Sequence, residues 1–155
     1  RRASGFDLEI GYHNRSKRTD VDFQYFDSVI ALAQWADYLV IATPGGAGTF
    51  HMIGMTEMQA LGSSGFLINI ARGSVVDNAA LAVALRDGVI AGAGLDVYES
   101  EPHAPTELVP HVDNLILSPH VAGLSPEAFR GTVMRYIANA KAHLAGEPLL
   151  NPIGV

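Results

Sequence analysis

Five short apolar runs of strand length punctuate the chain: Leu8 to Tyr12, Tyr38 to Ala42, Phe66 to Ile70, Ala91 to Leu95 and Leu115 to Leu117. Their apolarity is continuous rather than alternating, the pattern of strands covered on both faces in a parallel sheet. Helical patterns lie between them. Val29, Leu32, Ala33 and Ala36 share one face. Leu81, Ala82 and Leu85 share another, in a helix that Asp77 can cap and Gly88 can end. Phe129, Val133, Ile137, Ala140 and Leu144 form the stripe of a longer helix that starts after Ser125-Pro126 and stops at Gly146. The tail from Glu147 to Val155 is extended and rich in Pro and Gly. Strand alternating with helix predicts an α/β fold, a doubly wound parallel sheet of Rossmann type whose ligands sit at the carboxyl ends of strands.

Composition narrows the class of partner. The chain has 155 residues, 48% apolar and 17% charged, enough for one packed domain and too few charges for a disordered segment. Ten basic and sixteen acidic side chains give a net charge of -6, which argues against a general nucleic-acid or anionic-membrane surface and for a small-molecule partner. Without cysteine there are no disulfides, thiolate metal sites or thiol nucleophiles, which fits a reducing, cytoplasmic compartment. No apolar run approaches the roughly 20 residues a membrane span needs.

A dinucleotide fold should open with a strand, the loop G-x-G-x-x-G and a helix whose N-terminus holds the pyrophosphate. Gly46 to His51 fails that pattern at its last position, and Gly92 to Val97 fails there too and lies inside a strand. Arg1 to Gly5, followed by the strand around Glu9 to Tyr12, instead reads as the end of a first helix entering a second strand. The expectation is an N-terminally truncated domain lacking its first strand and glycine-rich loop. Its second strand ends in His13-Asn14-Arg15-Ser16-Lys17-Arg18, where an NAD enzyme would place a carboxylate for the ribose 2′-hydroxyl. Three cations and a serine hydroxyl, with no carboxylate in that stretch, favour the 2′-phosphate of NADP(H), with Asn14, Arg15, Ser16 and Arg18 as its contacts. The alternative is a solvated basic turn.

Three strand ends carry complementary groups. Arg72 follows the Phe66 to Ile70 run, Glu99 and Glu101 follow Ala91 to Leu95, and His120 follows Leu115 to Leu117. Singly, each has a plain structural reading: His120 as a hydrogen-bonder, Glu101 as a turn before Pro102, Arg72 as a partner of Asp77. Together, the segments Asn69 to Asp77, Gly94 to Pro102 and Leu117 to His120 resemble the signatures of the D-isomer-specific 2-hydroxyacid dehydrogenase family, including its glyoxylate, hydroxypyruvate and hydroxyphenylpyruvate reductases. The likeness runs from Ile10 to Pro152, and the 29 residues from Arg72 to Glu101 and 19 from Glu101 to His120 are the family's spacing.

That resemblance implies Arg72, Glu101 and His120 as the catalytic set, and Asp96 as the residue holding the nicotinamide carboxamide. Thr43 and Pro44 would pass beside the nicotinamide ribose, with Ala71, Arg72, His120 and the backbone at Gly123 also adjoining the cofactor. Gly54 stands near a place where relatives commonly carry asparagine. The chemistry agrees with these roles: an arginine fork fixes a 2-keto acid's carboxylate and polarises its carbonyl, and a protonated histidine, oriented by a carboxylate, delivers a proton to the oxygen. Glu99 is the decoy for Glu101, set aside on spacing. His13, His51, His103, His111 and His143 read as surface or packing residues, without metal-ligand spacing.

The expected organisation is a partial NAD(P)-binding domain over residues 1–125, with residues 126–155 returning towards a substrate domain outside this chain. The expected activity is NADPH-dependent reduction of a small 2-keto acid by a homodimer, the truncated chain being inactive alone. A nucleotide-sensing, non-catalytic relative of corepressor type is the alternative. A short-chain dehydrogenase would need Tyr-x-x-x-Lys, and no tyrosine here has lysine at that spacing.

Overall fold

The computed structural model describes residues 3–108, 110 and 113–152; Arg1 and Arg2, His111 and the last three residues of the tail lie outside them. Its strands are β1 (Gly11–His13), β2 (Gln24–Phe26), β3 (Tyr38–Ile41), β4 (Phe66–Asn69), β5 (Gly92–Leu95) and β6 (Leu115–Leu117). Its α-helices are α1 (Val29–Trp35), α2 (Met55–Leu61), α3 (Asn78–Arg86) and α4 (Pro126–Leu144). Two compact units divide between Pro119 and His120.

All strand pairings are parallel. β1 pairs with β2, and β3 to β6 form a second sheet in chain order. Set against the order 3-2-1-4-5-6 of doubly wound folds, β2 and β1 stand for strands 3 and 2, and β3 onwards for strand 4 and its successors. The place of strand 1, between β1 and β3, is filled by no described strand. Residues 3–6 form a single 3₁₀ turn rather than the end of an α-helix, and the first strand begins at Gly11, later than its apolar run.

The core lies between the four-stranded sheet and α1 to α3. Leu39 and Ile41, Leu67, Ala93 and Leu95, and Leu115 face Ala33, Met58, Leu61, Leu81, Ala84 and Leu85 in one buried cluster. The caps are those the sequence implied: the Asp77 carboxylate accepts from the Ala80 N–H at 2.9 Å, and Ser125 Oγ accepts from the Ala128 N–H at 3.1 Å. Gly88 and Gly146 follow the ends of α3 and α4 with φ of 66° and 71°, in the left-handed region that glycine enters without strain.

Along β3, Leu39 and Ile41 are buried while Tyr38 and Val40 are exposed, and Ile116 of β6 is exposed as well. The continuous apolar run of β3 is thus buried at alternate positions. The second unit holds α4, none of whose residues is buried. Its tail folds back along it, with Asn139 Oδ1 accepting from the Leu150 N–H at 2.9 Å and Arg135 donating to Asn151 Oδ1 at 3.2 Å.

Candidate functional site

The carboxyl ends of β3, β4 and β5 feed three loops that are locked together. Asn69, the last residue of β4, is fully buried; its Oδ1 accepts from the Ala71 N–H and its Nδ2 donates to the Arg72 carbonyl, each at 3.0 Å. This side chain builds the turn that presents Arg72, a local use for which asparagine suits better than any apolar residue. The Arg72 side chain is exposed and bonds back to the Ala71 carbonyl at 2.6 Å. It forms no ion pair among the described residues, and Asp77, its conceivable partner, caps α3 instead.

Two glycines allow the loops to approach. A Cβ at Gly45 would stand 2.9 Å from Arg72 Cγ, and one at Gly73 would overlap the Tyr98 backbone. The Thr43 to Gly46 loop is thereby held against the Arg72 side chain, and the Arg72 loop against Tyr98 and Glu99. Thr49 closes the first loop by donating its hydroxyl to the Pro44 carbonyl at 2.8 Å. Because the clash at Gly73 is with backbone, no rotamer change relieves it. Gly73→Ala is expected to cost about 1–3 kcal/mol, the usual range for overpacking, read as a fall in the urea midpoint at unchanged slope.

On the β5 side, Asp96 is buried and accepts the Ser118 hydroxyl at 2.5 Å, while its N–H donates to the Asn69 carbonyl at 2.9 Å. Glu101 is half-buried, with Oε1 accepting from the Tyr98 N–H at 2.8 Å. Glu99 differs: its Oε1 meets His51 Nε2 at 2.5 Å and its Oε2 accepts from the Asn78 N–H at 3.2 Å, at the first turn of α3. Both oxygens are engaged. Sequence reading set His51 aside as a surface or packing residue and gave Asn69 no role of its own; their only signal was position, at or beyond a strand end.

The basic turn after β1 is a second locus. The Tyr12 hydroxyl accepts from the Arg18 N–H at 2.9 Å and donates to the Arg18 carbonyl at 3.3 Å; Tyr25 donates to the Asn14 carbonyl at 3.3 Å. The two tyrosines are paired in register across β1 and β2 with ring centroids 5.4 Å apart, so the turn is fastened at both ends. Arg15 and Lys17 form no ion pair among the described residues. Arg18 does: its guanidinium grips both oxygens of Asp20. That hydrogen bonding raises the guanidinium above its ordinary value and holds the Asp20 carboxyl below the usual carboxylate range. A carboxylate therefore stands at this turn after all, two residues beyond the stretch in which none occurs.

His120 opens the second unit, exposed, with φ of 56°. A side-chain-bearing residue rarely sits there, and histidine is among those enriched in that region. Gly123 lies in the turn whose Leu124 N–H donates to the Val121 carbonyl at 2.8 Å.

Parallel strands alternating with helices, and charged loops gathered at their carboxyl ends, define a dinucleotide-binding α/β domain. The sequence profile of the D-isomer specific 2-hydroxyacid dehydrogenase, NAD binding domain, matches residues 1–122. The chain belongs to that family. It is 41% identical over 152 residues to hydroxyphenylpyruvate reductase of Plectranthus scutellarioides, covering 98% of this chain and 48% of the relative. It is 40% identical over 153 residues to glyoxylate/hydroxypyruvate reductase A of Arabidopsis thaliana, covering 99% and 49% respectively. Among solved structures, the NADPH-dependent glyoxylate/hydroxypyruvate reductase of Sinorhizobium meliloti, in complex with NADP and malonate, superposes with a TM-score of 0.91 at 38% identity, over 99% of this chain and 48% of that one. The chain spans about half the length of the relatives it matches. No helix among the described residues is long and apolar enough to cross a membrane.

Proposed function

We propose that this chain is the cofactor-binding part of an NADPH-dependent reductase of small 2-keto acids, of the glyoxylate and hydroxypyruvate type. The observation that carries the reading is the presentation of Arg72: a strand-end arginine, built outward by buried Asn69 and pressed against the Gly45 loop. A planar fork so held can take a carboxylate with two parallel hydrogen bonds while facing the adjacent carbonyl. The activities named for the relatives support the same substrate class.

The residues present fit a nicotinamide dinucleotide. Arg15, Ser16, Lys17 and Arg18 belong to the turn that would hold a 2′-phosphate, Arg18 by exchanging its bond to Asp20, and the tyrosine fastening orders the turn's backbone before binding. Asn14, Thr43, Pro44, Ala71, Asp96, His120 and Gly123 are assigned to the remaining contacts. A nicotinamide dinucleotide held by these residues would supply hydride-transfer chemistry. In that reading Arg72 would stabilise the charge that grows on the oxygen and His120 would give that oxygen its proton, with the orienting carboxylate's role assigned to Glu101 on the family resemblance. The product is a 2-hydroxy acid. A small 2-keto acid partner, a homodimer and a cytoplasmic setting complete the reading.

The test is kcat/KM of the complete protein on glyoxylate and hydroxypyruvate with each cofactor. A clear preference for NADPH is expected. A preference for NADH would overturn the 2′-phosphate assignment, and absence of turnover with either would overturn the reductase reading. The 155-residue chain alone is expected to show no turnover.

A further inference from the structure

Glu99, His51 and Asp77 form a cluster of titratable groups that the reductase reading leaves unused. We infer that His51 and Glu99 are positioning residues: a clasp across the loops after β3, β4 and β5 that holds Arg72 in place to receive the substrate's carboxylate. The inference rests on the reductase reading for what Arg72 does, and on geometry for the clasp.

Each arm of the cluster comes from a different loop. His51 Nε2 meets Glu99 Oε1 at 2.5 Å, and His51 Nδ1 faces Asp77 Oδ2 at 3.8 Å. The second Glu99 oxygen takes the Asn78 N–H at 3.2 Å, one of the donors that the start of α3 leaves without an intrahelical partner. An anion is favoured there by the aligned peptide dipoles as well. The backbone follows the side chains. His51 N–H donates to the Ser74 carbonyl at 2.9 Å, Ile53 N–H to that of Val75 at 3.0 Å, and Asp77 N–H to that of Ile53 at 3.0 Å. The loop after β3 is therefore stitched to the residues immediately following Arg72, and Gly73 presses the same segment onto the backbone of Tyr98 and Glu99.

His51 is placed at some expense. Its φ of 47° is a left-handed conformation, which is unfavourable for a side-chain-bearing residue. Such strain persists where surrounding contacts over-determine the residue, and it gathers at functional sites. The ring is also stacked on Phe50, with centroids 4.0 Å apart.

Magnitudes separate positioning from plain stabilisation. The side chains of His51 and Glu99 are 33% and 30% exposed, a setting in which a solvent-reached ion pair adds little to global stability. A displacement of about 1 Å at a reacting group, by contrast, can cost about 10²-fold in rate. Breaking the clasp should therefore be felt at Arg72 before it is felt by the fold.

The experiment uses the complete protein and the variants His51→Ala, His51→Gln, Glu99→Ala and the double alanine variant. Misplacement of Arg72 predicts that His51→Ala and Glu99→Ala each lower kcat/KM on hydroxypyruvate by about 10- to 100-fold, chiefly through KM. The dissociation constant for NADPH and the thermal midpoint stay at their wild-type values. The double variant falls no further than either single one, because the two residues act as a unit. Glutamine at position 51, which still offers a donor to Glu99, recovers most of the loss. Hydrogen exchange without substrate reads the clasp directly: amides of residues 72–78 exchange faster in His51→Ala. An unchanged KM, additive losses, or unchanged exchange at 72–78 overturns the proposal. Should the wild-type protein reduce no 2-keto acid, the reductase reading fails by itself, and hydrogen exchange still decides whether the clasp exists.

Discussion

Replacing His120 with asparagine in the complete protein is expected to lower kcat/KM for the 2-keto acid by about 10²- to 10⁴-fold, the range associated with losing a general acid. Asparagine is the informative replacement because it tolerates the left-handed backbone that His120 adopts with φ of 56°. It also keeps a polar side chain at that position, so the loss reports proton delivery rather than local collapse. The affinity for NADPH, measured by quenching of protein fluorescence, should fall far less than kcat/KM, because His120 is only one of several cofactor contacts. A variant that keeps wild-type turnover would remove His120 from the chemistry and return it to the plain reading of a hydrogen-bonding turn residue. The same experiment weighs the nucleotide-sensing alternative, since a protein that only senses cofactor loses nothing measurable when its acid is removed.

Arg72→Lys is expected to lower kcat/KM by about 10²- to 10³-fold, comparable to removal of one donor from an oxyanion-binding site. The positive charge is retained, so a purely electrostatic role predicts a small effect. A role through the planar fork predicts a large one, because an ammonium group cannot make two parallel bonds to a carboxylate. The bond from Arg72 to the Ala71 carbonyl and the packing of Gly45 against Arg72 Cβ and Cγ give the arginine stem a defined path. Lysine can follow that path without its fork. The loss should appear in both kcat and KM for the keto acid, since the fork binds the carboxylate and stabilises the growing charge, with the unfolding midpoint unchanged. Wild-type kcat/KM in Arg72→Lys would leave the placement of Arg72 without a function and would undermine the observation on which the reductase reading rests.

Much of the fold was legible in the chain. The runs Tyr38 to Ala42, Phe66 to Ile70, Ala91 to Leu95 and Leu115 to Leu117 held parallel strands because short apolar runs between turn residues have few other ways to be buried. The polar caps Asp77 and Ser125 marked helix starts for a local reason: a short side-chain oxygen satisfies an N–H that the first turn leaves bare. β2 and α2 escaped notice. Gln24–Phe26 is three residues within a polar stretch, and its pairing comes from Tyr12 and Tyr25 meeting across strands 13 residues apart in sequence. Met55–Leu61 is only seven residues long and becomes helical by burying Met58 and Leu61 against α1 and the sheet.

For the candidate site the division follows the range of the forces involved. Local pattern and spacing, which depend on residues adjacent in the chain, were enough to determine the α/β class, the strand-end positions of Arg72, Glu101 and His120, and the basic turn from Asn14 to Arg18. Only the tertiary structure decided that Glu99 is spent on His51 and the start of α3, that Arg18 is held by Asp20, and that Asn69 shapes the turn bearing Arg72. It also decided that Tyr38 and Val40 of β3 are exposed while Leu39 and Ile41 are buried. A carboxylate's role depends on which donors reach its two oxygens, and for Glu99 those donors lie 48 and 21 residues away, at distances that no periodicity encodes.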